Sequence, residues 1–462
     1  MDFLIFVLFA LGTGGIALYK RLDARDRAAD RAAAWWRTAR VCGLTDLKKS
    51  QSLPHWVEAW SGTHRVCFES YERGKNERGT RLIVGGMRHN ELTLRRETVG
   101  TSLEKKLLGE REIEIGDDAF DDTLYVQGSP ALARALFDVE TRVAVRRLFR
   151  DVDASVALQE GKFVVDIPER AFGNGLERLP YLLDAVLGVA RHLVLPEDIA
   201  TRLARNARGD PIAAVRLQNL LALVGEYPEH AATPDALHAA CADESDEIRL
   251  RAAMALGGEG HDVLLEIASR EGADDSYACR AIAALGENLP VERAKALLDQ
   301  ALKNWNVPKA CACIEALGHN RGAESVDTLA QVMLEGGAIS ATAAARALGE
   351  TGQASAEAPL IEALKLDSAE LREAAAEALG RVGSVKAVPA LEEAGAGHDA
   401  TRDLRRATRQ AIAEIQSRLA GASPGQLSLA EVEAGRVSLS EDAAGQLSFA
   451  KGETGPHVRS ES

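Results

Sequence analysis

The chain has 462 residues, 46% of them hydrophobic and 27% charged, with a formal net charge of −14. At roughly 150 residues per domain this length predicts about three folded units, and the acidic balance argues against the basic face that nucleic-acid binders carry. Only 5% of the residues are aromatic, while alanine abounds, which favours packed helices over a β-sandwich.

The first element is FLIFVLFALGTGGIALY, Phe3 to Tyr19, which contains no charge. As a helix it spans about 26 Å, just enough for a bilayer core. No Lys or Arg precedes the run, and Asp2 sits where a cleaved leader needs a positive charge. A retained transmembrane anchor over residues 1–19 is therefore expected rather than a signal peptide. Residues 20–40 carry seven basic and three acidic residues. The positive-inside rule then gives a single-pass membrane protein with the bulk of its chain cytoplasmic. This basic stretch reads as a continuing helix holding Trp35 and Trp36, lying on anionic headgroups or serving as a solvated linker.

From 41 to 195 the texture is α+β. THRVCFESYERG and TRLIVGG read as two strands joined by GKNERG. ELTLRRE, REIEIG and TLYVQG continue the strand pattern, SPALARALFDVE and TRVAVRRLFR are helical, and ASVALQEGKFVVDIP is a hairpin turning at Glu160-Gly161. A helix from about Glu177 through His192 closes the domain. GDDAFDD, Gly116 to Asp122, has four carboxylates but not the spaced ligands and terminal Glu of a calcium loop, so it reads as a solvated loop. HExxH, GxSxG, P-loop and GxGxxG patterns are missing, and the domain's role is left open. The six cysteines, at 42, 67, 241, 279, 311 and 313, are scattered. They are expected to be reduced, and no metal or cofactor is expected.

Residues 196–420 repeat. The phrase ALG occurs at Ala255, Ala284, Ala316, Ala347 and Ala378, with ALVG at Ala222 and AIA at Ala411. Its central residues are Leu223, Leu256, Leu285, Leu317, Leu348, Leu379 and Ile412, spaced 29 to 33 residues apart. Such a period marks a solenoid. Each period holds two helical patterns, as in SAEAPLIEALKL and SAELREAAAEALGRVG. The second has a narrow Ala/Leu stripe, and its Gly suits a left-handed helix C-cap. Arg216, Arg249, Arg372 and Arg405 each precede the marker residue by seven. Ala278, Ala310 and Ala341 take that position in the three middle repeats.

Acid, apolar, Arg, then an Ala-rich helix ending in ALG resembles bacterial HEAT repeats, especially the short type first described in phycobilin lyases. The resemblance implies an all-α HEAT-like solenoid of about seven repeats, with the arginines bridging adjacent repeats. It is specific for the fold and says little about function. Residues 196–420 carry 35 acidic and 23 basic residues, which favours a protein partner with a basic surface.

The tail, residues 421–462, says one phrase three times at a period of ten: GQLSLA, GRVSLS and GQLSFA. Leu427 and Leu429, Val437 and Leu439, and Leu447 and Phe449 alternate around a serine, which is strand periodicity over only three residues. The tail is expected to be disordered when free, and its apolar pairs form a candidate docking element. The expected whole is a membrane-anchored interaction scaffold without enzymatic activity. The alternative is an enzyme or enzyme subunit, lyase-like or acting through the α+β domain.

Overall fold

The computed structural model describes residues 26–418, apart from 53, 74–76, 88–91, 97–112, 152–154, 170–175, 195–196, 271–274 and 321, together with two short strands in the tail. The chain divides into two compact units, Met1–Leu256 and Gly257–Ser462.

The first unit is built on an eight-stranded antiparallel sheet. Its strands are β1 (Thr45–Lys49), β2 (Trp56–Ser61), β3 (His64–Arg73), β4 (Glu77–Gly85), β5 (Leu92–Arg96), β6 (Leu124–Gly128), β7 (Ser155–Gln159) and β8 (Lys162–Pro168), in the order β1-β2-β3-β4-β8-β7-β5-β6. β1 and β2 were not anticipated from sequence, and Ile113 to Ile115 form no strand. Alternate residues point to one face, so Val66 and Phe68, Leu82 and Val84, and Phe163, Val165 and Ile167 are all buried. The β7–β8 hairpin turns through Glu160 and Gly161 at φ 49° and 71°, the pair of left-handed residues a type I′ turn requires.

Helix α1, residues 26–41, packs against this face. Trp35 is fully buried, stacks on Phe68 with ring centroids 6.5 Å apart and donates its indole N–H to Thr80 Oγ1 at 3.2 Å. Burying so large a ring outweighs any gain from resting it at a lipid surface, so the expected headgroup or linker helix is a core helix instead. The membrane-spanning helix is likewise corrected. No helix among the described residues is long and apolar enough to cross a membrane, and single-pass localisation is not supported. Phe3 to Tyr19 lies outside the described residues, and its 17 residues fall at the short limit for spanning a bilayer.

The sheet is followed or interrupted by α2 (Asp118–Asp121), α3 (Pro130–Leu136), α4 (Val139–Asp151) and α5 (Leu179–His192). Four helices of the repeat region belong to the same unit: α6 (Ile199–Gly209), α7 (Ala213–Glu226), α8 (Ala232–Ala240) and α9 (Asp246–Leu256). Leu203, Val215, Leu223 and Ala236 share one hydrophobic core with the sheet residues.

The second unit holds five helix pairs: α10 (His261–Ser269) with α11 (Asp275–Leu285), α12 (Val291–Lys303) with α13 (Val307–His319), α14 (Ala323–Glu335) with α15 (Ala338–Glu350), α16 (Glu357–Ala363) with α17 (Ala369–Val382), and α18 (Val388–Ala396) with α19 (Arg402–Ser417). The second helices pack on one another in succession. Side-chain caps start several of them: Asn306 accepts from Lys309 N at 3.1 Å and Thr401 from Leu404 N at 3.0 Å, satisfying donors that the first turn leaves open.

The tail departs from the expected disorder at two of its three phrases. β9 (Leu427–Leu429) and β10 (Val437–Leu439) pair antiparallel, Leu427 opposite Leu439 and Leu429 opposite Val437. A ten-residue repeat places two short strands close enough in sequence for a hairpin to form. Leu447 and Phe449 lie outside the described residues.

Candidate interaction surfaces

Leu223, Leu285, Leu317, Leu348 and Leu379 are at most 1% exposed, while Leu256 and Ile412 are half-buried. The glycine that follows them has two uses. Gly257 and Gly286 end their helices at φ 60° and 49°, as a C-cap does. Gly318, Gly349 and Gly380 instead lie inside α13, α15 and α17. A Cβ on Gly318 would sit 2.9 Å from Ala347 Cβ, and one on Gly349 would sit 2.8 Å from Ala378 Cα. In these later repeats the ALG phrase is therefore a contact: its Gly receives the Ala of the next repeat, which brings the helices close.

The arginines serve the turns. Arg216 on α7 grips Asp243 with both prongs, Nε to Oδ2 at 2.7 Å and Nη2 to Oδ1 at 2.8 Å, and donates to Asp210 O at 2.9 Å. Arg372 on α17 reaches Asp399 at 2.8 Å. In both cases the acid lies 27 residues on, in the turn before the next marker helix. Arg249 is buried against Cys241 O and Asp246. Arg405 is exposed, with no ion-pair partner among the described residues. Ala278, Ala310 and Ala341 are buried.

Sequence reasoning missed the centre of the first unit. Arg142 is 2% exposed, and its guanidinium donates to Asp117 Oδ2 at 2.8 Å, Asp210 Oδ2 at 2.8 Å, Asp210 Oδ1 at 3.2 Å and Phe137 O at 2.9 Å. Burial disfavours its charge, but the bonds to Asp210 and Asp117 more than offset this and raise its pKa. GDDAFDD is thus no solvated loop. Asp117 is buried, and Asp121 accepts from Ile115 N and Gly116 N while burial pushes its carboxyl up. No local pattern marked this centre, because Arg142 is one of four arginines on a strongly charged helix and its partners are distant in sequence.

Among the described residues, the following surfaces stand out. In the second unit large apolar residues stand out at the turns within successive helix pairs: Trp305 at 89% exposure, Leu334 at 47%, Ile339 at 64% and Leu366 at 37%. Trp305 holds φ 55°, an unusual conformation for a bulky residue. It is fixed by Trp305 N to Leu302 O, Asn306 N to Ala301 O and Val307 N to Trp305 O bonds at 3.3, 2.8 and 3.1 Å. In the first unit α4 and α5 frame a groove of about 440 Å³ over Val139 and Val143, with Glu140 and Asp184 as well as Arg147 and Arg191 on its walls, beside His192. Arg147 stacks over Tyr181 at 5.4 Å. Another groove, about 540 Å³, lies between α18 and α19.

For chemistry the described residues offer less. No group of three or more His, Cys, Asp or Glu among them could hold a metal. Burial pushes the Cys67 thiol up to about 11 and the Cys313 thiol up to about 12, away from the thiolate that a nucleophile needs.

Residues 339–413 match the family of HEAT repeats. No curated protein matches the chain. Solved structures with similarity include the CpcE and CpcF complex of phycocyanin lyase from Nostoc, 22% identical over 49% of this chain and 91% of that one, TM-score 0.29. Human deoxyhypusine hydroxylase is 17% identical over 47% of this chain and 96% of its own, TM-score 0.22. An engineered protein is 18% identical over 63% and 79%, TM-score 0.28. At these scores none of the three carries an argument about activity.

Proposed function

The chain is a HEAT-repeat protein, and from that premise we propose that it is a protein-interaction scaffold whose second unit binds a partner through the turns of its helix pairs. The observation that carries this reading is Trp305. A tryptophan exposed at 89% and pinned at a positive φ costs stability in the free protein. Its presentation on a rigid turn is what a central anchor of an interface needs. Leu334, Ile339 and Leu366 supply further apolar contacts at the corresponding turns.

The partner takes Trp305 in an apolar pocket and carries a basic rim. The rim is argued from charge: residues 257–418 hold 25 acidic and 17 basic side chains. Such an excess speeds the encounter with a basic surface and makes it salt-dependent. The test is to identify the protein retained by the purified chain and titrate it against Trp305→Ala. Loss of a buried anchor weakens binding by about 2–4 kcal/mol, roughly 30- to 1,000-fold, with the far-UV spectrum unchanged. Undiminished affinity of the variant, or no specifically retained protein, would sink the reading.

A further inference from the structure

The stack of the second unit ends on α19 with an unmet requirement. Ile412 occupies the position of Leu379 and Leu348, both fully buried, yet it is only half-buried because no following repeat lies on it. With Thr408, Arg409 and Gln416 it lines the groove of about 540 Å³ against α18. Arg405 stands at the ladder position of Arg372 but, unlike it, has no acid partner among the described residues. Ala413 replaces the glycine found at 318, 349 and 380 and is exposed. Ala413 therefore lacks the close approach that Gly318 and Gly349 give to the next helix, and the exposed face of α19 suits a cover less tightly packed than a repeat.

We propose that the occupant is the chain's own segment 419–442, which lies back along α19 as a capping hairpin made of β9 and β10. Continuity supports this. Thirteen residues separate Arg418 from Glu431, an extended reach of roughly 43 Å. The same number of helical residues from Arg418 back to Arg405 spans only about 20 Å. Charge supports it as well. Residues 402–417 hold Arg402, Arg405, Arg406 and Arg409 against Asp403 and Glu414. Segment 421–444 holds Glu431, Glu433, Glu441 and Asp442 against Arg436. Ladder spacing supports it again. The acid partner of Arg216 and of Arg372 lies 27 residues on, and from Arg405 that distance falls between Glu431 and Glu433. The apolar residues of the first two phrases provide the cover that Ile412 lacks, which is the role of a terminal cap in a repeat stack.

Amide hydrogen exchange of α19 in the full chain tests the proposal. Arg405→Glu with Arg409→Glu removes the cationic side of the contact, and Glu431→Lys with Glu433→Lys removes the anionic side without touching the helix. Each pair is expected to speed α19 exchange about tenfold, the scale of two partly exposed ion pairs. The protein carrying all four changes is expected to regain slow exchange. Unchanged exchange in the tail pair, or four changes that simply add, would overturn the proposal. Protection that rises with protein concentration would overturn it too, by assigning the groove to a second copy of the chain.

Discussion

Gly349→Ala is the sharpest probe of how the second unit is held together. Two effects oppose each other. Alanine in a helix is favoured over glycine by up to about 1 kcal/mol in the interior, less near the end, where Gly349 sits. Against this, the new Cβ would lie 2.8 Å from Ala378 Cα, 2.9 Å from Ala378 Cβ and 3.0 Å from Arg381 Nε. All three atoms belong to α17, and Ala378 Cα is its backbone, so α15 and α17 must separate, at an overpacking cost of about 1–3 kcal/mol. The net is a loss of roughly 1–2 kcal/mol, or about 2–8 °C in Tm for a unit of this size. Gly188 is the control: it lies inside α5 with nothing within 4 Å of its added Cβ. Gly188→Ala should therefore stabilise by up to about 1 kcal/mol. Since two units need not unfold together, urea unfolding should be read alongside hydrogen exchange of each helix. If Gly349→Ala proves as stable as the wild type, the glycine acts as a helix terminator and the stacking argument fails.

Arg142→Ala leaves the Asp117 and Asp210 carboxylates without their cation in a buried site. A loss of about 3–5 kcal/mol is expected in urea unfolding of the first unit. At Asp243 burial pushes the carboxyl up, but hydrogen bonds from Arg216 and from Ser245 N outweigh it and hold the pKa below the ordinary value. With a folded pKa below the unfolded one, its contribution is present above about pH 4 and is lost as pH falls through the folded value. Asp243→Asn should accordingly flatten the acid limb of a stability profile, and a limb as steep as the wild type's would contradict the assignment. Cys67 and Cys313, pushed up to about 11 and about 12, should react with a thiol reagent at pH 8 at least about 100-fold more slowly in the native than in the unfolded chain.

The helices of the array were legible because their signal is local and repeated: Leu317, Leu348 and Leu379 announce themselves at a fixed period. What the glycine after them does was not legible, since Gly286 and Gly318 stand in the same phrase while one ends a helix and the other admits Ala347. That choice depends on the neighbouring repeat, not on the phrase. The sheet was read where strands alternate over several residues, as in β3, β4, β7 and β8. It was missed at β1, which is short and polar, and at β2, where the buried Val57 and Ala59 opposite Phe68 and Val66 give an alternation only two residues long. The Arg142 centre was illegible because its three charged members lie 25 and 68 residues apart. The exposure of Trp305 could not be read either, as the sequence around it is that of an ordinary helix pair. The apolar run at Phe3 to Tyr19 misled because length and hydropathy alone set the expectation. In Trp35 and Trp36 an aromatic pair beside basic residues was read as interfacial when half of it was core.

The shared core of the first unit bears on how the polypeptide can be divided. The change of texture at residue 196 invites a cut between a sheet domain and a helical array. Such a cut would strip Leu203, Val215, Leu223 and Ala236 from Trp35, Phe68 and Val165 and bare a broad apolar surface on the sheet fragment. It would also part Arg142 from Asp210. A fragment ending at 195 should aggregate where one ending at Leu256 stays dispersed. In biogenesis the sheet must then wait for the ribosome to deliver α6 to α8 before its own interior can close.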